Sequence, residues 1–462
     1  MLTKTRLKTD LERILPKNNI LSAPAECYVY SQDGTNVITS EILPDAVVFP
    51  ETVEDVQDIL RFANRHSLPV VPRGAGTNLV GACIPERGGI VMHLTKMNKI
   101  LELNKVNMTM QVQPCVTIDE IQQSAMSAGL FFPPDPSNLK VSTIGGAIAQ
   151  SAGGPKTFKY GTTKDYILGL KVVLADGSIL NTGSSTIKNA TGYHLEQLFV
   201  GSEGTLGIVV EAVLKLIPKP ETSSVVLAYF DDIETATDSV SKMTDAGLCP
   251  SAMEFMNKNT LQTIEMFYPA GLLTDKEAAL IIELDGFKST LPLQVSKLEE
   301  ILSLSGASNT VIADTEEEQE RIWTSRRASF AACAKLGADV ISHDLIVPRE
   351  NISKLVCGVN AICKKYDLHV CIAGHIGDGN IHPQIGLDLN NETDVYNYEK
   401  AKAELYELTL GLNGTLSAEH GIGMEKRMFM EKAVDKNTLE YMKKIKQIFD
   451  PNNILNPSKI FL

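Results

Sequence analysis

VVPRGAGTNLVGA, residues 70–82, is the stretch on which the reading of this 462-residue chain turns. An apolar, β-branched run enters Arg73-Gly74-Ala75-Gly76-Thr77-Asn78, and a third glycine follows at Gly81. Glycine lets backbone N–H groups approach an anion without a Cβ in the way, so a strand that ends in such a loop can form a nest for phosphate. The spacing from Gly76 to Gly81 does not fit the dinucleotide fingerprint, and no Gly-Lys-Ser/Thr follows as in a P-loop. Taken alone, the stretch also reads as a tight turn from strand to loop.

Upstream, AVVFP at 46–50 predicts a strand. ETVEDVQDILRFANRHS, with apolar residues at 53, 56, 59, 60 and 63, predicts an amphipathic helix. LPVVPRG returns as a second strand, which makes a βαβ unit leading into the loop. From 90 to 220, short runs such as IVMHL, MTMQVQP and GIVVEAVLKLIP alternate with turn residues, and ADG at 175–177 predicts a hairpin. After PKPETSS at 218–224, helices alternate with VVLAYF, AALIIELDG, SNTVIAD, DLIVP and HVCIAGH, the pattern of a second α+β domain. The tail from MEKRMFMEKAV onward predicts helices ending in an Asn/Pro-rich turn.

The charge balance is 43 Lys and Arg against 56 Asp and Glu, net −13, which excludes a general binder of nucleic-acid backbone. Any anion must be held by a local site. Of the 33 glycines, 18 fall between Gly74 and Gly207, so that region is the place to look. The eight cysteines, at 27, 83, 115, 249, 333, 357, 363 and 371, include no C-x-x-C and read as buried, reduced thiols. The first residues, MLTKTRLKTDLERILPKNN, read as an amphipathic helix and not a signal peptide. No apolar run reaches the roughly 20 residues of a membrane span, so the expectation is a cytoplasmic protein, peripheral to a membrane at most through a partner.

Four further motifs follow the first loop in order: FPPDPSN at 132–138, STIGGAIAQSAGG at 142–154, YGTTKDYILGLKVVLADG at 160–177 and GSEGTLGIV at 201–209. Together these resemble the FAD-binding oxidoreductases of the vanillyl-alcohol oxidase superfamily, with the PCMH-type FAD-binding domain. Within it the chain is most similar, from Pro44 to Phe461, to the D-2-hydroxyacid dehydrogenases: D-lactate dehydrogenase, the flavin subunit of glycolate oxidase and D-2-hydroxyglutarate dehydrogenase. The resemblance implies an α+β fold with a two-subdomain FAD-binding domain at 42–220, after an N-terminal helical segment at 1–41. An α+β cap domain with an antiparallel sheet would follow at 221–410, and a C-terminal segment at 411–462 would return to the FAD domain.

The resemblance also assigns residues. Arg73, Gly74, Ala75, Gly76, Thr77, Asn78 and Gly81 would hold the FAD pyrophosphate. Pro134, Asp135, Ser137, Thr143, Gly145, Gly146, Ala149, Ser151, Gly153 and Gly154 would line the cofactor, with Tyr160 and Gly161. Glu203, Gly204, Thr205, Gly207 and Ile208 would lie near the adenine half, and Asn456 beside the flavin. Some relatives attach FAD through a histidine in the first loop; here RGAGTN implies non-covalent FAD.

GHIGDGNIHP at 374–383 can be read from its residues. If Asp378-Gly379 is a two-residue hairpin turn, His375 pairs with His382 across the strands. Their Cβ atoms would then lie about 4.5–5.5 Å apart on one face, near enough to share a metal ion. A polar hairpin with two satisfied histidines is the other reading. SAEHGIG at 417–423 adds Glu419 and His420, and a carboxylate beside two imidazoles suits Zn²⁺, Mn²⁺ or Fe²⁺. The resemblance makes His375, His382 and Glu419 the ligands and His420 the catalytic base. In RIWTSRRASF at 321–330, Trp323 and Arg326 match the family's Trp-x-x-Arg, whose guanidinium grips the substrate carboxylate with a bidentate fork. Arg327 reads as a solvated helix face.

The implied reaction is metal-assisted oxidation of a small D-2-hydroxy acid to the 2-oxo acid, with hydride passing to flavin N5. Electrons would then go to a separate acceptor: an electron-transferring flavoprotein, an iron–sulfur subunit or a quinone. Gln384, placed to meet substrate, stands where D-2-hydroxyglutarate enzymes commonly have asparagine, and Ser342-His343 replaces their lysine-tyrosine pair. These departures favour D-lactate or glycolate over D-2-hydroxyglutarate; His343 could line the pocket or be structural. A non-redox, FAD-dependent transferase of the alkyl-glycerone-phosphate synthase type is one alternative from another class, and a non-catalytic flavin-bearing subunit that relays electrons is the other; the complete His375, His382, Glu419 and His420 set argues against the relay. The sequence allows a homo-oligomer without specifying one.

Overall fold

Thr52 starts the first long helix of the computed structural model, Val53–Arg65, through a reciprocal capping box. The Asp55 N–H donates to Thr52 Oγ1 (3.1 Å), and the Thr52 N–H donates to the Asp55 carboxylate (3.0 Å). Val56, Ile59, Leu60, Phe62 and Ala63 are buried along one stripe. The flanking strands, Ala46–Val48 and Val70–Arg73, both run parallel to Ile90–His93, which lies between them. The predicted βαβ unit is therefore present, with a later strand inserted into it. The structure describes residues 4–35, 42–313 and 315–461. Residues 1–3 of the opening segment, the boundary expected at 41 and Asp314 of the SNTVIAD strand lie outside them.

Two compact units divide the chain. The first takes the chain up to Gly153, then Thr162–Lys219, then Glu419 onward. Its small mixed sheet, parallel but for the edge strand Ile20–Leu21, shares a core with Leu7, Leu11 and Leu15 of the N-terminal segment. The tail joins it as well: the Val70 N–H donates to Ile454 O (2.7 Å) and the Asn456 N–H to Val70 O (2.8 Å). A second sheet is antiparallel, in the order 100–104, 109–112, 208–215, 167–173, 179–183. The last two strands flank the predicted ADG turn, where Gly177 has φ +79°.

The second unit comprises Gly154–Gly161 and Pro220–Ala418 and carries an eight-stranded sheet whose pairings are antiparallel. Two expected boundaries move. Residues 411–418 stay with this unit, because Thr415 donates its N–H to Ile346 O (3.1 Å), and Ser417 Oγ and the Ala418 N–H donate to the Asp344 carboxylate (2.6 and 2.8 Å). Gly154–Gly161 moves from the expected FAD domain to the second unit. Lys156 Nζ donates to Glu283 (2.6 Å), Lys159 pairs with Asp285, and Tyr160 OH donates to Asp285 (2.7 Å). Two ion pairs outweigh the sequence neighbourhood.

None of the eight cysteines is in a disulfide. Five are buried as expected, Cys83 is partly covered, and Cys249 and Cys357 are exposed, contrary to expectation.

Candidate active site

In the first unit, the strand Val70–Arg73 delivers the guanidinium of Arg73 over the loop that follows. Nη1 donates to Gln32 O (2.6 Å), and Nε is buried with no partner among the described residues. Gly76 has φ +74°, and a Cβ there would run into the Arg73 guanidinium. The glycine therefore makes room for the arginine, a need the sequence reading did not foresee. Asn78 turns its side chain inward: Oδ1 accepts from the Val80 and Ala82 N–H groups (2.9 and 3.0 Å), and Nδ2 donates to His420 O (3.2 Å). From the N-terminal segment, Gly34 donates its N–H to Asn78 O (2.8 Å), and burial pushes the neighbouring Asp33 carboxyl up to about 6.

Thr143 caps the short helix Ile144–Gln150, its Oγ1 accepting from the Gly146 N–H (3.3 Å), and Ser151 ends it with φ +52°. The Pro134 carbonyl accepts from Gln122 Nε2 (2.9 Å). Asn456 Nδ2 donates to Ala82 O (3.0 Å) and Glu203 O (2.7 Å), which brings three of the predicted motifs together. The Glu203 carboxylate accepts from the backbone of Ile422 and Gly423 (2.7 and 2.8 Å). Burial pushes that carboxyl up to about 7, against the pull of the two amides.

The region fits FAD on its own terms. Arg73 Nε, Gln150 Oε1 and Asn456 Oδ1 are buried polar atoms without a partner among the described residues. One donor and two acceptors left over in a glycine-rich cradle are what a ligand with a phosphate and a polar ring edge requires. Tyr160 belongs to the second unit, where its hydroxyl donates to Asp285 (2.7 Å).

In the second unit, the predicted hairpin is real but its register differs. Ala373, not His375, pairs with His382, because the connection is a three-residue turn, Ile376–Asp378, closed by Gly379 at φ +92°. The shift is two residues, so both imidazoles still share a face, their ring centroids 5.1 Å apart. His375 instead lies opposite Glu254 on Ala252–Asn257, and its Nδ1 is 2.6 Å from Glu254 Oε1. Glu254, fully buried, also pairs through Oε2 with Arg326 Nη2 (2.7 Å). Burial drives its carboxyl up, but the His375 and Arg326 charges prevail and hold it below the ordinary value. His382 Nδ1 lies 3.8 Å from Asp344, a buried carboxylate that also accepts from Asn380 Nδ2 (2.8 Å).

His375 thus has Nδ1 on a carboxylate, the arrangement that orients a metal-ligating imidazole and presents Nε2, while the Asp344 carboxylate stands beyond hydrogen-bond distance of His382. Arg326 is less available than the predicted fork. Nη1 donates to Ser329 Oγ (3.0 Å), Nη2 meets Glu254, and Nε has no partner among the described residues. Gln384, two residues beyond His382 on the same strand face, is buried with Oε1 likewise without a partner. Trp323 fastens the Arg326 helix by donating Nε1 to Glu283 (3.0 Å), and Arg327 is exposed on Glu320. His343 is buried between Tyr398 OH (3.2 Å) and Tyr406 OH (3.3 Å). Glu419 and His420 open the last segment of the first unit, directly after Ala418.

The sequence reading missed Glu254, Asp344 and Ser329. Glu254 left a signal, as the lone charge in SAMEFMN, a run that reads as a buried strand; a carboxylate there needs partners. Asp344 and Ser329 left none.

Residues 44–183 match the FAD binding domain family, and residues 219–460 match FAD linked oxidases, C-terminal domain. The glycolate oxidase subunit GlcD of Bacillus subtilis (strain 168) is 42% identical over 461 residues, covering 100% of this chain and 97% of that protein. A D-lactate dehydrogenase of Archaeoglobus fulgidus is 34% identical, covering 95% and 96%. A D-2-hydroxyglutarate dehydrogenase of Stutzerimonas stutzeri is 32% identical, covering 100% of both. Among solved structures, p-cresol methylhydroxylase superposes with a TM-score of 0.84 at 17% identity over 99% of this chain and 96% of that one, a likeness of fold alone. Matched along both units, and with a cradle whose unused polar atoms suit the cofactor, the chain belongs to the FAD-linked oxidases.

Proposed function

We propose that the protein oxidises the hydroxyl of a small D-2-hydroxy acid, D-lactate or glycolate, to the 2-oxo acid. The observation that carries this reading is the buried Glu254, which holds Arg326 and His375 in one cluster on the sheet of the second unit. The names of the relatives, a glycolate oxidase subunit, a D-lactate dehydrogenase and a D-2-hydroxyglutarate dehydrogenase, support the substrate class.

Bound FAD, held non-covalently, supplies the hydride acceptor. Arg326 orients the substrate carboxylate through the edge that Glu254 and Ser329 leave open, with Gln384 offering an acceptor from the same sheet face. His420 removes the hydroxyl proton, as a base neutral near pH 7 can. His375, backed by Glu254, and His382 would with Glu419 hold a divalent Zn, Mn or Fe ion, which would lower the pKa of the substrate hydroxyl.

The oxidation removes one proton and one hydride per substrate, so electrons must leave for a further acceptor. An electron-transferring flavoprotein, an iron–sulfur subunit or a quinone fits that role. A small substrate is the reading because Ser342-His343 stands where D-2-hydroxyglutarate enzymes have a lysine-tyrosine pair, so the lysine that would meet a second carboxylate is missing.

The test is anaerobic mixing of the yellow protein with a panel of 2-hydroxy acids, with and without prior chelation. Bleaching by D-lactate or glycolate is expected, and bleaching by none of the panel sinks the reading. Bleaching that survives thorough metal removal sinks the metal assignment alone.

A further inference from the structure

Glu203 stands in a motif that the family resemblance gives to the cofactor, yet its side chain is spent elsewhere. Both carboxylate oxygens are used: Oε1 accepts from the Ile422 N–H (2.7 Å) and Oε2 from the Gly423 N–H (2.8 Å). These are consecutive amides, and His420 lies two residues before the first of them. Glu203 itself has φ +52°, a left-handed conformation that costs a residue with a Cβ, in a loop where glycine stands on either side at 201 and 204. A strained, buried, non-glycine residue whose carboxylate is fully occupied by one distant turn marks a position where the side chain is needed.

Three further contacts close on the same turn. Asn78 Nδ2 donates to the carbonyl of His420 (3.2 Å). The Met424 N–H donates to Val80 O (2.8 Å), and Gly423, at φ +53°, has no room for a Cβ against that same carbonyl. Glu203 is anchored in turn, its N–H on Ala149 O (2.8 Å) and its carbonyl on Asn456 Nδ2 (2.7 Å). The turn that carries His420 is therefore fastened on both sides by the loops of the flavin cradle, all within the first unit.

We infer that Glu203 is a positioning residue for His420: it fixes the backbone of the 420–423 turn against the flavin cradle so that the imidazole is aimed at the substrate hydroxyl. The inference rests on the proposed role of His420 as the base. Asn78 is the second clasp, acting on the His420 carbonyl.

Holoenzyme carrying Glu203→Gln tests it, with Glu203→Asp as the companion. Glutamine keeps the shape but loses the charge that the two amides hold; aspartate keeps the charge but falls short of both amides. FAD content and the substrate concentration for half-maximal flavin reduction should stay as in the unaltered protein. The limiting rate of flavin reduction should fall by about a hundredfold, the scale expected for a reacting group displaced by about 1 Å. Hydrogen–deuterium exchange at Ile422 and Gly423 should speed up in both variants with FAD still bound. Unchanged reduction in Glu203→Gln, or a loss that merely follows lost FAD, overturns the inference. If neither variant folds, exchange in the unaltered protein decides: protected Ile422 and Gly423 amides uphold the clasp, and amides that exchange as fast as an exposed loop overturn it. Failure of the unaltered protein to bleach would count against the 2-hydroxy acid reading, while the exchange result still judges the clasp.

Discussion

The flavin cradle of the first unit and the acid–imidazole cluster of the second are built by opposite means. The cradle is made of backbone: loops rich in glycine, caps such as Thr143, and side-chain amides of Asn78 and Asn456 that knit one loop to the next. The cluster is made of side chains on a rigid antiparallel sheet, with Glu254 meeting His375 across 121 positions of sequence. A backbone site tolerates a mobile, two-ended ligand and needs particular residues only where a Cβ cannot fit. A side-chain site needs each charge matched, because an unpaired ion in the interior is costly. Substitutions should therefore cost chemistry or stability in the cluster and cofactor affinity in the cradle, except at His420 and at the residues that fasten its turn to the cradle.

The largest effect belongs to His420. His420→Ala should slow flavin reduction by about 10²–10⁴-fold, the usual range for a general base, while FAD stays bound. Stopped-flow absorbance at the flavin band checks this. Rapid bleaching in the variant would remove His420 from the mechanism and leave the turn without its purpose.

Glu254 comes next and separates the two regions most sharply. Glu254→Gln leaves Arg326 and His375 without their shared countercharge, and removing one partner of a buried pair costs about 3–5 kcal/mol. Unfolding by denaturant should show a loss of that order, with a raised KM because Arg326 is no longer aimed. A Glu254→Gln protein as stable as its parent, with an unchanged KM, would show that the bridge neither supports nor orients anything.

The same contrast explains what was legible in the sequence. Motifs whose chemistry is local could be read: the βαβ unit, the 70–82 loop, the 175–177 hairpin and the shared face of His375 and His382. The hairpin register was misjudged because Asp378-Gly379 looks like a complete turn, whereas the chain spends Ile376–Asp378 on it. Glu203 and Tyr160 go to the cofactor by the family resemblance of their motifs. Their partners, Ile422, Gly423 and Asp285, lie in distant segments, and no local pattern announces a side chain's destination.

For the cradle, Gly76→Ala is the comparison's counterpart to Glu254→Gln. The left-handed φ costs alanine about 1–2 kcal/mol, and the Arg73 guanidinium must also give way. Titration of the apoprotein with FAD should show affinity reduced roughly tenfold, the equivalent of about 1.4 kcal/mol, with little change in the rate of the flavin that does bind. Undiminished affinity would mean that Arg73 is not part of the cofactor's site.

Tyr160→Phe carries the smallest expected effect and tests which region owns residues 154–161. The hydroxyl donates to Asp285, which retains its ion pair with Lys159 when the hydroxyl is removed. Loss of one hydrogen bond to a charged acceptor that keeps another partner should cost about 1–2 kcal/mol, seen as a modest fall in Tm. FAD affinity should be unchanged, because the side chain that its sequence motif assigned to the cofactor is engaged on the sheet of the second unit. Weakened FAD binding at unaltered Tm would reverse that assignment and return the segment to the cradle. The boundary between a site written in backbone and one written in side chains would then have to be drawn at Gly161 and not at Gly153.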